Sequence, residues 1–267
     1  MSSAPIRLEV PPGVSAGVAV FDRQAGAFTT THDAHARFRS ASVVKLLIAL
    51  DHLWSSGRHP LPAGDGERLD LMLRSSDDDA ASELWTRNGG AAIVERAAAR
   101  LRLADTVPPP SAHPGYWGYT GLSAADVVTV YRYLLDEAPA SVRERVMGSL
   151  RGATRLGTDG FDQSFGIAAA FDRPWAVKQG WSGFDTDGQP RGRAARPTAA
   201  AAGDVDLARA ALHTTGTVGV ADRGIVAVLT LHPRGTAYGR ARADLGRLTR
   251  SLNVPGAVPA APPSPGA

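Results

Sequence analysis

The chain has 267 residues, 43% of them hydrophobic and 21% charged, which is enough apolar material to bury one sizeable core without a partner or a covalent staple. Its 29 basic and 26 acidic residues leave a net charge of only +3, which excludes the concentrated basic tract of a nucleic-acid binder. Cysteine is absent, so disulfides, thiolate nucleophiles and cysteine-ligated zinc fall away together, and any covalent chemistry needs another nucleophile.

The start, MSSAPIRLEVPPG, carries neither a basic n-region nor an apolar h-region, and no apolar run reaches the roughly 18 residues of a membrane span. On that reading the protein is cytoplasmic or shortened at its N-terminus. Residues 14–22 (VSAGVAVFD) and 26–31 (GAFTTT) alternate apolar and β-branched residues around a polar break at Arg23, Gln24 and Ala25, the pattern of a hairpin. Residues 42–55 (SVVKLLIALDHLWS) are too long and too apolar for a typical strand and predict a helix buried on most sides, with Ser42 at its start.

Helical periodicity continues over 67–75, 78–88, 90–102, 123–136 and 140–150, with Gly- and Pro-containing breaks between. The stretch 104–122, with prolines at 108–110 and His113, Pro114 and Gly115 in succession, cannot be regular. Apolar runs at 174–178, 207–215 and 217–231 predict strands, and 236–252 predicts a closing amphipathic helix with leucines at 245, 248 and 252. Residues 186–203 predict a long connection, mobile or alanine-rich helical. The Pro/Ala/Gly-rich tail from 254 onward predicts disorder.

Three short elements carry chemistry. In Ser42-Val43-Val44-Lys45 the three-residue spacing puts hydroxyl and ammonium on one helix face; an apolar helix depresses the lysine pKa, so that a neutral amine can act as base toward the serine. Ser76-Asp77-Asp78 falls at the junction of two predicted helices, where Ser76 can relay protons and Asp78 can accept hydrogen bonds from Lys45 or from a substrate amide. Lys178-Gln179-Gly180-Trp181, on a predicted edge strand, offers a cation to an anionic group and a glycine that lets substrate backbone approach. Each element alone also fits an ordinary helix cap or surface lysine.

Together, in this order, they resemble the Ser-x-x-Lys, Ser-Asp-Asn and Lys-Thr-Gly set of class A β-lactamases and penicillin-binding proteins, over roughly residues 14–252. The resemblance implies an α+β fold with an antiparallel five-stranded sheet flanked by helices. One lobe would span about 14–60 and 165–252, and an all-helical lobe about 61–164. It also implies Ser42 as nucleophile, Lys45 as its base, Ser76 as proton relay, Lys178 as electrostatic anchor, and the backbone N–H groups of Ser42 and Trp181 as an oxyanion hole. Asp78, Gln179, Gly180 and Trp181 would bind substrate.

Four departures stand out. Asp78 replaces an asparagine, Gln179 a threonine, and Trp181 a small residue. No glutamate lies between Glu95 and Glu137, where the class A enzymes carry the one that activates the deacylating water; Asp105 and His113 are the candidates to replace it. The implied activity is that of an acyl-serine hydrolase for a β-lactam, a D-alanyl peptide or a related amide or ester, slow to deacylate. The alternative is an idle penicillin-binding-like recognition module.

The seven histidines form no zinc pattern, and Asp185, Thr186, Asp187 and Gly188 lack the later glutamate of a calcium loop. No phosphate loop follows a strand. The expected protein has no cofactor or metal and acts as a monomer on a small-molecule or peptidoglycan-type substrate. The resemblance implies an extracytoplasmic place.

Overall fold

The computed structural model describes residues 8–57, 60–184 and 205–261. Alternation in the central strands explains why the sheet is buried on both faces. In β1 (Ser15–Asp22), Ala19 and Phe21 point into one apolar cluster while Ala16, Val18 and Val20 point into another. β7 (Gly224–His232) divides its side chains the same way, with Ile225, Ala227 and Leu229 on the first face and Val226 and Val228 on the second. A period of two thus feeds two cores at once.

With β2 (Ala27–His32), β5 (Trp175–Ser182) and β6 (Ala210–Val218), these strands form one antiparallel sheet in the order β2-β1-β7-β6-β5. The first face is covered by α1 (Lys45–Ser56) and by a helical lobe of α2 (Asp65–Arg74), α3 (Asp78–Arg87), α4 (Ala92–Leu101), α5 (Ala124–Arg132) and α6 (Ala140–Arg151). The second face is covered by the short helix α7 (Ile167–Ala170) and by α8 (Tyr238–Arg250), which lays Ala241, Leu245 and Leu248 against it at helical spacing. This is the predicted α+β architecture, a five-stranded antiparallel sheet with a helical lobe.

A two-stranded ladder of β3 (Phe38–Arg39) and β4 (Gly121–Leu122) ties the segment before Ser42 to the end of the 104–122 stretch. That stretch is irregular apart from β4 and one 3₁₀ turn, Trp117–Tyr119, as its prolines require.

Two expectations need correction. The sequence places a break at Gly216 between two strands, but Gly216 lies inside β6 and the turn falls after Val218. A Cβ at 216 would sit 2.1 Å from the Ala176 carbonyl oxygen, so this glycine permits close strand approach and marks no turn. The tail is also ordered as far as 261: Asp172 N donates to Val258 O and Ala260 N to Ala170 O, with Val254 buried in the second core. Its prolines and glycines fit a strap with few ladder bonds. The predicted connection at 186–203 lies outside the described residues.

Candidate active site

Ser42 sits in a buried 3₁₀ turn, Ala41–Val44, that runs straight into α1. Its side of the turn opens on a cleft of about 450 Å³, which Ser42 lines together with Asp78, Trp117, Tyr119 and Trp181. Ala41, just before it, has φ +44, a strained left-handed value for a non-glycine residue, of the kind that turns over-determined by their surroundings hold at functional sites.

Lys45, the first residue of α1, is fully buried and reaches under the cleft. Its Nζ donates to Ser76 O at 2.5 Å and Ser76 Oγ at 3.3 Å, and pairs with Asp78 Oδ1 at 2.6 Å; the Trp117 ring centroid lies 4.8 Å away. Ser76 itself has φ +55, and Asp77 after it caps α3 by accepting from Ala80 N at 2.7 Å. The cap fixes where α3 begins and so where Asp78 points.

From the opposite side, Lys178 Nζ donates to Ser76 Oγ at 2.9 Å and to Gln179 O at 3.1 Å. Thr215 Oγ1 donates to Lys178 O at 2.7 Å, and Tyr131 OH lies 3.2 Å from that hydroxyl. Lys178 is in mid-strand, because β5 continues to Ser182, where the sequence predicts a strand ending at it. The structure therefore links Lys45, Ser76 and Lys178 through the Ser76 hydroxyl, which lies between two ammonium groups, and Asp78, bonded to Lys45, shares the cleft wall with Ser42.

Burial governs the protonation of both lysines. It pushes Lys45 below the ordinary lysine value, opposed by the attraction of Asp78 and, more weakly, Asp77 and Asp159. Lys178 is pushed well below, first by burial and then by the Lys45 charge, with Asp78 and Asp159 opposing. A pair of desolvated amines beside one hydroxyl can pass a proton between them, because each neutral amine is a base and the hydroxyl both donates and accepts.

The four residues expected to bind substrate divide. Asp78 and Trp181 line the cleft. Gln179 is 1% exposed, and its Nε2 donates to Gln163 O at 3.2 Å and Phe165 O at 2.7 Å. Its side chain faces the interior, as strand alternation next to Lys178 demands, and holds the 163–165 turn; this corrects its expected role as a substrate contact. Gly180 packs so tightly that a Cβ would meet Val43 Cγ2 at 3.0 Å and Ser40 O at 3.1 Å; its role is to let the strand approach the Ser42 turn.

Neither proposed substitute for the missing glutamate reaches the chemistry. Asp105 Oδ2 is held by His35 Nδ1 and Ser123 Oγ, each at 2.8 Å, on the β3–β4 side. His113 packs edge-on against Tyr116 and Tyr119. The 104–122 stretch instead presents Gly115, Tyr116, Trp117, Gly118 and Tyr119 to the cleft, an aromatic wall that composition alone does not aim.

Sequence reasoning also misses Asp159. It lies in the turn Gly157-Thr158-Asp159-Gly160, lines the cleft, and accepts from Trp181 Nε1 at 3.1 Å. Thr158 N donates to Ser75 O at 2.9 Å, tying this turn to the Ser76 turn. A Gly-x-Asp-Gly run signals a turn and nothing about what the turn faces. Among the described residues no group of three or more histidine, aspartate or glutamate side chains is arranged to hold a metal.

No family model matches the chain. Solved structures share its fold: PBP-A, 17% identical, with a TM-score of 0.63 over 91% of this chain and 90% of that one; a class A β-lactamase from Bacteroides cellulosilyticus, 13% identical, TM-score 0.65, over 90% and 91%; and the class A β-lactamase from Mycobacterium abscessus, 19% identical, TM-score 0.61, over 90% and 92%. The chain thus has the fold of the β-lactamase and penicillin-binding serine hydrolases. Its curated relatives include "Putative lipoprotein LppW" of Mycobacterium tuberculosis H37Rv and its counterpart in Mycobacterium bovis, each 38% identical over 175 residues, 63% of this chain and 54% of the relative. The chain spans about half the length of these curated relatives.

Proposed function

We propose that the protein is an acyl-serine hydrolase in which Ser42 attacks the carbonyl of an amide or ester, of the β-lactam, D-alanyl-peptide or related kind. The observation that carries this is the chain of Lys45, Ser76 and Lys178, hydrogen-bonded and buried beside a cleft-lining serine. As the Ser42 Oγ–carbon bond forms, its proton passes to neutral Lys45. The Ser76 hydroxyl hands its proton to the leaving alcohol or amine as its bond to carbon breaks and takes in its place the one held by Lys45, so that both groups return to their starting state, while Lys178 stabilises that relay. Water then attacks the acyl-serine ester, releasing the acid and restoring the serine hydroxyl.

The mycobacterial relatives' name supports an extracytoplasmic place for this chain. Among the described residues no helix is long and apolar enough to cross a membrane. The close Lys45–Asp78 pair favours a second reading, a recognition module whose lysine stays charged, because a carboxylate at 2.6 Å opposes loss of that proton. An uncharged fluorophosphonate separates the two: it should label Ser42, located by peptide mass spectrometry, and Ser42→Ala should remove the label. An unlabelled wild-type protein, or an equally labelled variant, overturns the hydrolase.

A further inference from the structure

The cleft that holds the nucleophile is built for charge of one sign. Among the described residues that line it, every charged side chain is a carboxylate: Asp78, Asp79 and Asp159. Only Asp78 has a close cation, Lys45; Asp79 and Asp159 form no ion pair among the described residues. Neither lysine is available to a ligand, since Lys45 and Lys178 are 0% and 1% exposed and their ammonium groups already bond Ser76, Asp78 and the Gln179 carbonyl.

Among the described residues the wall holds no cation that could pair with a free carboxylate; the donors it does offer are the hydroxyls of Ser42, Ser82, Tyr116, Tyr119 and Ser182. Position 179, where the sequence suggests a substrate contact, spends its amide on the carbonyls of Gln163 and Phe165. The largest side chains of the wall are aromatic. The Trp181 ring, stacked on Phe161 with centroids 4.8 Å apart, turns its N–H to Asp159, and Trp117 already faces one cation, Lys45, from 4.8 Å. Ring faces beside carboxylates that have no close ion pair among the described residues favour a cation and repel an anion, and a partly desolvated cleft strengthens both effects.

We infer that the acyl donor taken by this cleft carries an ammonium or similar cation on its acyl chain, in place of a free carboxylate. The inference rests on the acyl-serine reading for its chemistry, while the charge preference belongs to the cleft wall alone. Asp159 and Asp79 are then specificity determinants, and Asp159 in addition fixes the Trp181 ring.

Three p-nitrophenyl esters of matched length test this: 6-ammoniohexanoate, uncharged heptanoate, and the adipate half-ester with its free carboxylate. At low ionic strength kcat/KM should fall in that order, with at least tenfold between cation and anion, and the spread should contract as salt is added. Asp159→Asn and Asp79→Asn should each reduce the cation-to-anion ratio severalfold. A ratio at or below one in the wild-type protein overturns the inference.

The uncharged fluorophosphonate keeps the two claims apart, because its reaction with Ser42 does not depend on the charge of the wall. If it labels Ser42 while the adipate ester is preferred, the charge inference fails and the hydrolase stands. If it does not label, binding decides: the Ser42→Ala variant is titrated with 6-ammoniohexanamide and adipic acid monoamide, followed by tryptophan fluorescence. A tenfold preference for the cation then supports the charge inference, and equal or reversed affinity overturns it.

Discussion

The floor and the rim of the cleft are made of different material. The floor consists of side chains on regular elements, Lys45 on α1 and Lys178 on β5, sealed from solvent and bonded to one serine hydroxyl. The rim is made of the first turn of α3 and of irregular segments: Asp78 and Asp79, the aromatic run 116–119, and the 157–160 turn with Asp159. Proton transfer needs geometry held within a fraction of an ångström, which helices and strands supply. Recognition is carried where the chain can be changed without breaking the sheet.

The floor should therefore be unforgiving. Ser42→Ala is expected to abolish labelling and turnover, and Lys45→Ala to slow acylation by about 10² to 10⁴-fold, the contribution of a positioned general base, with circular dichroism unchanged. A Lys45→Ala protein that acylates at the wild-type rate would exclude that residue as the base and leave Lys178 to be tested next.

The rim predicts a defect of its own. The 104–122 stretch offers the cleft no carboxylate or imidazole, so on the proposed acyl-serine mechanism the water that would cleave the ester finds no base there. Deacylation should lag acylation by about 10² to 10⁴-fold. Stopped-flow release of p-nitrophenol from an ester should then show one fast equivalent followed by a slow phase. A linear trace with no burst means that another group, with Asp159 the nearest to mutate, activates the water.

Stability should report on the floor through His213, which is fully buried behind Gly180. Its Nε2 lies 2.8 Å from Arg39 O and its Nδ1 accepts from Thr230 N, an arrangement that suits only the neutral ring. Burial, ahead of the Arg39 charge, lowers its pKa from 6.5 to about 4. The unfolded chain takes up a proton that the folded chain refuses, so this contribution is complete above pH 6.5 and is lost as the pH falls toward 4. It amounts to about 3 kcal/mol over that window. Urea unfolding followed from neutral to acidic pH should show the loss, and His213→Gln should flatten it; an unchanged slope in the variant assigns the acid sensitivity elsewhere, with His232, also lowered to about 4, the next candidate.

The smallest effect lies where floor and rim touch. Asp78 opposes the burial that lowers the Lys45 pKa. Asp78→Asn removes that opposition, so Lys45 should lose its proton at lower pH and the acid limb of kcat/KM should move to lower pH. A limb that moves the other way, or stays fixed, means that Lys45 is not the group titrating.

Much of this organisation was readable beforehand, for physical reasons that differ by region. The β1–β2 hairpin and α1 rest on local periodicity, which a sequence displays directly, whereas Ser42, Lys45, Ser76 and Lys178 stand out only through the resemblance of three ordered motifs to a known family, each motif alone fitting a helix cap or a surface lysine. Asp159 and the aromatic wall could not be found that way, because a turn's composition fixes its shape and says nothing about its neighbours. Gly216 misled for the same reason: a glycine needed for space at Ala176 O looks like a glycine needed for a turn. The tail's composition hid a strap whose few bonds run to Ala170 and Asp172.

The inward amide of Gln179 also limits how this site can evolve. Exchange of Gln179 for threonine would restore a hydroxyl beside Lys178, yet it would delete both bonds that hold Gln163 O and Phe165 O and slacken the segment that leads back to Asp159. A lineage moving toward carboxylate ligands would have to rebuild the 163–165 turn before changing position 179. In the reverse order the first step leaves both carbonyls without their amide donor, so the interior of the protein as well as the ligand constrains position 179.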